Sequence, residues 1–238
     1  MNLSYRLKTV ASFVPEGSIV ADIGTDHGYI PIYLAEQGKI THAVAMDVRT
    51  GPLERAEEHI RSHGLKNVIE TRLSDGLREL RPGEADTAVI AGMGGELMIR
   101  ILSEGRHMWP TVKRWILSPQ SDLHKVRIYL RENGFPIEKE TMILDEGKYY
   151  TVMAAGRRAE ALRNCTGEKT IYDFYGKCLI QDRNQVLSGY LEWERGQKEK
   201  LLEELQSGGA QMTERAVLRI RSLEEELKRI KEAQDEMQ

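Results

Sequence analysis

Residues 19–29, IVADIGTDHGY, limit what this chain can become more than any other stretch. Ile19, Val20, Ala21 and Ile23 carry strand character, Gly24 and Gly28 break the run, and helical periodicity starts at Ile30. A strand that ends in a glycine-punctuated turn and passes straight into a helix is the opening unit of an α/β sheet. The same grammar recurs in HAVAMD (42–47), NVIETRLSDG (67–76), ADTAVIAGMGG (85–95) and KRWILSPQ (113–120). Helical patterns over 31–38, 51–63, 96–102 and 122–132 lie between or after these strands, the third expected to bury Leu97, Ile101 and Leu102. Five strand-then-helix units predict a mostly parallel, doubly wound sheet with helices on both faces. A short helix over 3–14 precedes it, with Arg6 and Lys8 on the polar side, and an antiparallel hairpin turning at Asp145–Lys148 closes it.

Past Arg158 the character changes, which predicts domains at 1–158 and 159–238. Two charged runs, 184–207 and 213–238, are separated by Ser207, Gly208 and Gly209. Ala216, Ile220, Leu223, Leu227, Ile230, Gln234 and Met237 repeat at spacings of four and three, the seam of a coiled coil. Leu187, Leu191, Leu201, Leu202 and Leu205 offer a partner face. An antiparallel helical hairpin within one chain and a zipper between two chains both satisfy the seam. The short glycine-containing turn favours the hairpin and a monomer. Arg215, Arg219, Arg221, Lys228 and Arg229 make this arm either a solvated strut or an RNA contact.

The formal charge of -3 decides little about partners, because a basic face can sit on an acidic protein. Cys165 and Cys178 have no metal-binding or redox spacing, so no metal is expected. Met1–Val14 is interrupted by Arg6 and Lys8 and reads neither as a signal peptide nor as a membrane span, which points to the cytoplasm.

In a doubly wound sheet, ligands bind beyond the carboxyl ends of the strands. There the chain places Asp22, Asp26, Asp47, Asp75 and the glycines of 92–95, the outline of a nucleoside site. Asp47 follows Asp26 at about the interval of a ribose-binding acid, and Asp75 suits the amino group of an adenine. The turn reads DxGxDxG rather than GxGxxG. Its carboxylates would repel a pyrophosphate, but they suit the ammonium and sulfonium of S-adenosylmethionine. A methyltransferase is therefore favoured over a dinucleotide oxidoreductase. Ser118 lacks the surroundings of a nucleophile.

DIGTDHGYIPIYL (22–34), Asp47, SDGL (74–77), AGMGG (91–95), SPQ (118–120) and DEGKYY (145–150), followed by a helical arm, resemble the bacterial tRNA (adenine-22-N1)-methyltransferase family. The resemblance implies a Rossmann-like class I methyltransferase fold, S-adenosylmethionine as methyl donor, tRNA as partner and N1 of adenine 22 as target. It places Asp22, Gly24, Thr25, Asp26, His27 and Gly28 in the donor-binding turn. Asp47 and Val48 fall at the ribose, Asp75 and Gly76 at the adenine, and Gly92 and Met93 in the fourth motif. The family pattern has Gln-Pro-Asn where this chain has Ser118, Pro119 and Gln120. These three, with Gly94, are expected near the target base.

Methylation of N1 makes the adenine cationic, and Asp26 is the candidate to stabilise that charge as it develops. Reaching a base inside folded RNA requires extrusion, for which Tyr29, Tyr149 and Tyr150 are stacking candidates. Arg6, Lys8, Arg49 and Lys148 are expected to rim the cleft and meet phosphates. The alternatives are a noncatalytic RNA-binding or scaffold protein that keeps the pocket, and a methyltransferase for another substrate.

Overall fold

The computed structural model describes residues 1–158, 170–207 and 213–238. The expected boundary after Arg158, Cys165 and the Gly208–Gly209 turn therefore adjoin or lie outside the described residues. The chain divides into two compact units, Met1–Glu168 and Lys169–Gln238.

In the first unit, helix α1 (Tyr5–Phe13) leads into β1 (Ser18–Ile23), α2 (Tyr29–Glu36), β2 (Ile40–Asp47), α3 (Thr50–Ser62) and β3 (Ile69–Leu73). Then come β4 (Thr87–Ala91), α4 (Gly95–Glu104), β5 (Arg114–Ser118), α5 (Leu123–Glu132) and the hairpin of β6 (Ile137–Asp145) and β7 (Lys148–Ala155). The seven strands form one mixed sheet in the order β3-β2-β1-β4-β5-β7-β6. The first five strands pair in parallel, and β7 enters antiparallel between β5 and β6. Because alternate strand residues face opposite sides, two cores result. Ala21, Ile23, Met46, Ile90 and Leu117 pack with Met98, Ile101, Val126 and Leu130 of α4 and α5. Val20, Ala45, Val89 and Val152 pack on the other face with Val10, Phe13, Ile32, Leu34 and Ile60 of α1, α2 and α3.

Two expectations are corrected here. No helix follows β3: residues 74–86 run as turns, so four strand-then-helix units exist where five were expected. Gly76, Pro82 and Gly83 break any helix at that place, and Leu77, Leu80 and Ala85 are driven into the core. Leu97 is not buried. It is 40% exposed on α4, while Met98, Ile101 and Leu102 take the buried face.

In the second unit, two short helices, α6 (Ile171–Tyr175) and α7 (Lys177–Gln181), precede α8 (Gln185–Ser207) and α9 (Glu214–Glu236). Each long helix has 23 residues. They pack side by side in opposite directions: Arg195 hydrogen-bonds Gln234 at 3.1 Å, and Lys198, further along α8, pairs with Glu226, earlier in α9. Leu223 and Ile230 of the expected seam are fully buried, and Ala216, Ile220, Leu227, Gln234 and Met237 are half-buried. On α8, Leu187 and Leu191 are buried and Leu202 and Leu205 half-buried. Leu201 is exposed instead, because Lys198 and Leu202 already occupy the facing stripe. Among the described residues, no helix is long and apolar enough to cross a membrane.

Candidate active site

A cavity of about 540 Å³ opens at the carboxyl ends of β1, β2, β3 and β4. Its wall takes Gly24 and Asp26 from the turn after β1, Asp47, Val48 and Arg49 from the end of β2, and Ser74, Asp75 and Gly76 from the turn after β3. Ala91, Gly92 and Met93 close it from β4, and Leu97, Arg100 and Ile101 from α4. Order reversal puts it there: β2 and β4 flank β1, so the connections leaving β1 and β4 diverge and leave a crevice.

The turn after β1 is held from within. Thr25 Oγ1 donates to Asp22 Oδ2 at 2.6 Å, and the amides of Gly24 and Thr25 donate to the Met46 carbonyl at 2.8 and 2.9 Å. Gly24 has φ +76°, and a Cβ there would overlap the Met93 methyl, so only glycine leaves this cradle open. Asp26 also adopts a left-handed conformation, φ 52°, which aspartate tolerates better than most residues. Its amide donates to Asp47 Oδ2 at 3.4 Å and the Arg49 amide to Asp47 Oδ1 at 3.0 Å, so Asp47, 6% exposed, is fixed by backbone donors.

Asp22 is 3% exposed. Burial is the main force on its carboxyl and raises it; the Thr25 hydroxyl opposes this and the neighbouring Asp47 charge adds to it, leaving it pushed up to about 6. Asp26 is exposed and lies 3.5 Å from both Arg55 Nη2 and His27 Nε2.

The acids and glycines expected at a nucleoside are thus brought together, with two differences. Asp22, Thr25, His27 and Gly28 lie outside the cavity lining and shape the turn behind it, and Gly94 and Gly95 lie outside it as well. Asp75 is already engaged, accepting from Arg100 Nη2 at 3.0 Å and Nη1 at 3.4 Å, with Arg78 at 3.4 Å. Arg100 escaped the sequence reading, although its place three residues after Leu97 on a helix next to a strand end is a usable signal.

A second cluster adjoins Gly92. A Cβ on Gly92, whose φ is +82°, would stand 3.7 Å from Arg6 Nη1 and 3.9 Å from Gln120 Nε2. Arg6 lies inside the site rather than on its rim. Its amide donates to Asp145 Oδ2 at 3.0 Å and its guanidinium sits 5.2 Å over the Tyr150 ring. Arg6 Nη1 and Ser118 Oγ are buried without a hydrogen-bond partner, as is His27 Nδ1. Buried donors without partners are rare, and beside a cavity they are open to a ligand or a water. Pro119 is buried beside Ser118, the Gln120 amide donates to the Met93 carbonyl at 2.9 Å, and Gly94 starts α4 against Ser121.

The remaining expected contacts are dispersed. Tyr149 and Tyr150 are neighbours on β7 and so face opposite sides of the sheet; Tyr150 joins Arg6, and the two cannot flank one base. Tyr29 stacks on His27 at 5.0 Å and on His59 at 5.7 Å, and His59 Nδ1 hydrogen-bonds the His27 carbonyl at 3.0 Å. His59 sits on α3, where no sequence motif marks it. Arg49 lines the cavity, whereas Lys8 bonds Asn2 at 2.8 Å and Lys148 is exposed across the hairpin turn from Asp145.

The chain chemistry fits an S-adenosyl donor: a glycine cradle, a backbone-fixed strand-end carboxylate, a second carboxylate at the far wall and the apolar Val48, Met93 and Leu97 between them. A pyrophosphate would meet these carboxylates instead of free amides.

Comparison with known proteins agrees with that chemistry. A family model described as a methyltransferase domain matches residues 3–153. The tRNA (adenine(22)-N(1))-methyltransferase of Bacillus subtilis is 37% identical over 155 residues, 65% of this chain and 65% of that protein, so the match spans slightly less than two thirds of that relative. A putative tRNA methyltransferase of Mycoplasma pneumoniae is 31% identical over 170 residues, 70% of this chain and 77% of the relative. Among solved structures, a putative tRNA (m1A22) methyltransferase of Streptococcus pneumoniae superposes with a TM-score of 0.86 at 32% identity, covering 98% of this chain and 99% of that one. That protein in complex with S-adenosyl-L-methionine superposes with a TM-score of 0.83.

Proposed function

The chain belongs to the tRNA (adenine-22-N1)-methyltransferase family of class I S-adenosylmethionine-dependent enzymes, and from that premise we propose that it methylates N1 of adenine 22 in tRNA. The observation that carries the reading is the carboxylate-lined cavity at the switch point of the sheet, joined through Gly92 to a second cluster of partnerless donors. When bound, S-adenosylmethionine supplies a methyl group made electrophilic by its sulfonium.

In this reading Asp47 accepts the ribose hydroxyls and Asp75 the adenine amino group, while Val48, Met93 and Leu97 cover the apolar faces of the donor. The turn Asp22–Gly28 holds the methionine end, where its negative charge offsets the ammonium. The acceptor enters past Gly92, which has no side chain to obstruct it. Ser118 and Gln120 offer hydrogen bonds to the base, Arg6 and Tyr150 form the wall beyond, and Arg49 meets phosphate. Neutral adenine already presents a lone pair at N1, so alignment supplies much of the rate advantage and no general base is needed to expose the nucleophile. As the bond forms, positive charge spreads over the ring. Asp26, which lines the cavity, is our candidate for the carboxylate that stabilises it.

The second unit serves as the tRNA-binding arm, a coiled-coil hairpin of a monomer acting in the cytoplasm. Arg215, Arg221 and Lys228 are exposed, whereas Arg219 is drawn to Glu226 at 3.0 Å and Arg229 lies 4.4 Å over Phe174. The exposed group is the stronger candidate for phosphate contact.

The test is transfer of labelled methyl from S-adenosylmethionine to unmodified tRNA, followed by nucleoside identification and mapping. Label in 1-methyladenosine at position 22 is expected; label elsewhere or none overturns the assignment. Asp26→Ala is expected to slow turnover at saturating donor, and an unchanged rate removes Asp26 from the chemistry.

A further inference from the structure

Asp75 stands on the one strand-to-strand connection of the parallel sheet that has no helix, in a turn where the Ser74 hydroxyl donates to the Gly76 carbonyl at 2.9 Å but, among the described residues, no backbone donor meets the Asp75 carboxylate. The aim comes from α4. Arg100 presents two guanidinium nitrogens to the two carboxylate oxygens, at 3.0 and 3.4 Å, in the fork geometry that fixes the plane of a carboxylate. Arg100 is in turn anchored on a helix whose Met98, Ile101 and Leu102 are buried. Glu104 completes the cluster, 3.7 Å from Arg100 and 2.8 Å from Arg78. Two arginines face two carboxylates, so the group is neutral as a whole and Arg100 has no charge left over for a phosphate. Arg100 and Asp75 both line the cavity, beside Gly76 and Leu97.

We propose that Arg100 is a positioning residue that orients Asp75 toward the adenine amino group of the donor, making recognition of a 6-amino purine depend on Arg100. The inference rests on reading this cavity as the donor site. A carboxylate has about four lone-pair directions; the fork takes one on each oxygen, Arg78 approaches Oδ2 at 3.4 Å, and the remaining direction on Oδ1 is fixed in space for an N–H donor. A 6-oxo purine in the same place offers an acceptor to an acceptor, and a carboxylate that cannot swing away rejects it. Without Arg100 the carboxylate keeps only the single contact with Arg78 at 3.4 Å, which does not fix its plane, so it binds the amino group less well and opposes the oxo group less firmly.

The experiment measures binding of S-adenosylhomocysteine and S-inosylhomocysteine to the full chain by titration calorimetry. The wild type is expected to favour the adenosyl ligand by roughly tenfold or more, the size of one well-aligned hydrogen bond to a charged group. Arg100→Met keeps the stem of the side chain and is expected to bind the adenosyl ligand roughly tenfold more weakly with most of the preference gone. Arg100→Lys, which can hold one oxygen at a time, is expected to fall between. A folded Met variant that discriminates as sharply as wild type overturns the proposal, and so does a wild type without preference. Should the Met variant fail to fold, a Lys variant with undiminished discrimination overturns it alone. A wild type that binds neither ligand refutes the donor-site reading itself, a different outcome.

Discussion

Asp22 sits at the end of β1 with its carboxyl pushed up from 3.8 to about 6, so the fold works against its charge at neutral pH. Asp22→Asn removes the charge and keeps an oxygen for the Thr25 hydroxyl. A group whose folded value is raised contributes stability that is complete below the unfolded value and lost as pH rises through the folded one. A shift of about two units corresponds to roughly 3 kcal/mol of native stability lost by about pH 7.5, with about half of that already lost near pH 5. Asn carries no such term. Its stabilising effect should therefore be almost absent near pH 4 and should grow by about 1.4 kcal/mol between about pH 5 and about pH 7.5. Thermal melts of both proteins across that range test this, with an expected widening of about 3–6 °C for a unit of this size. An equal gap at every pH refutes the reasoning, because it would mean that Asp22 titrates alike folded and unfolded. The same substitution should weaken donor binding, since the charge that strains the free protein is the one assigned to the ammonium end.

Other outcomes follow from the geometry. Gly24→Ala puts a methyl group against Met93 at a positive φ, costing about 1–2 kcal/mol of stability, and should weaken S-adenosylhomocysteine binding measured by calorimetry. Asp47→Ala removes the carboxylate that holds the Asp26 and Arg49 amides and is expected to raise the donor Kd by about tenfold to a hundredfold. Arg6→Lys retains charge but loses the planar contact with Tyr150; KM for tRNA should rise while the donor Kd, read separately, stays unchanged. Leu191→Ala hollows the contact of α8, costs about 2–5 kcal/mol in the helical unit, and should weaken tRNA binding in a filter assay with donor binding intact.

What could be read from sequence was local. The strand ends, the DxGxDxG turn, Asp47 and Gly92 declare themselves because a strand end or a glycine turn fixes both position and direction, whereas Val48 and Met93 follow only from the family resemblance. What could not be read depended on partners far away in sequence. Leu97 obeys helical periodicity, yet the cavity beside it leaves nothing to cover it. That Tyr149 and Tyr150 fall on opposite faces follows from the twofold period of β7, which is legible once that segment is assigned as a strand. Helices α6 and α7, five residues each, are too short for periodicity to announce them. Arg6 looked like a rim residue because nothing near it in sequence reveals the Asp145 carboxylate or the Tyr150 ring.

The link from the Arg6 amide to Asp145 spans 139 positions of sequence. Every residue lining the donor cavity lies between Ile23 and Ile101, whereas the acceptor side needs both the first helix and the last hairpin. Closing a loop of that length costs roughly 4 kcal/mol in chain entropy beyond the constant term, and during synthesis it must wait until the hairpin has emerged. The two halves of one site therefore differ in contact order. A nascent chain can build a place for the methyl donor well before it has a place for the base.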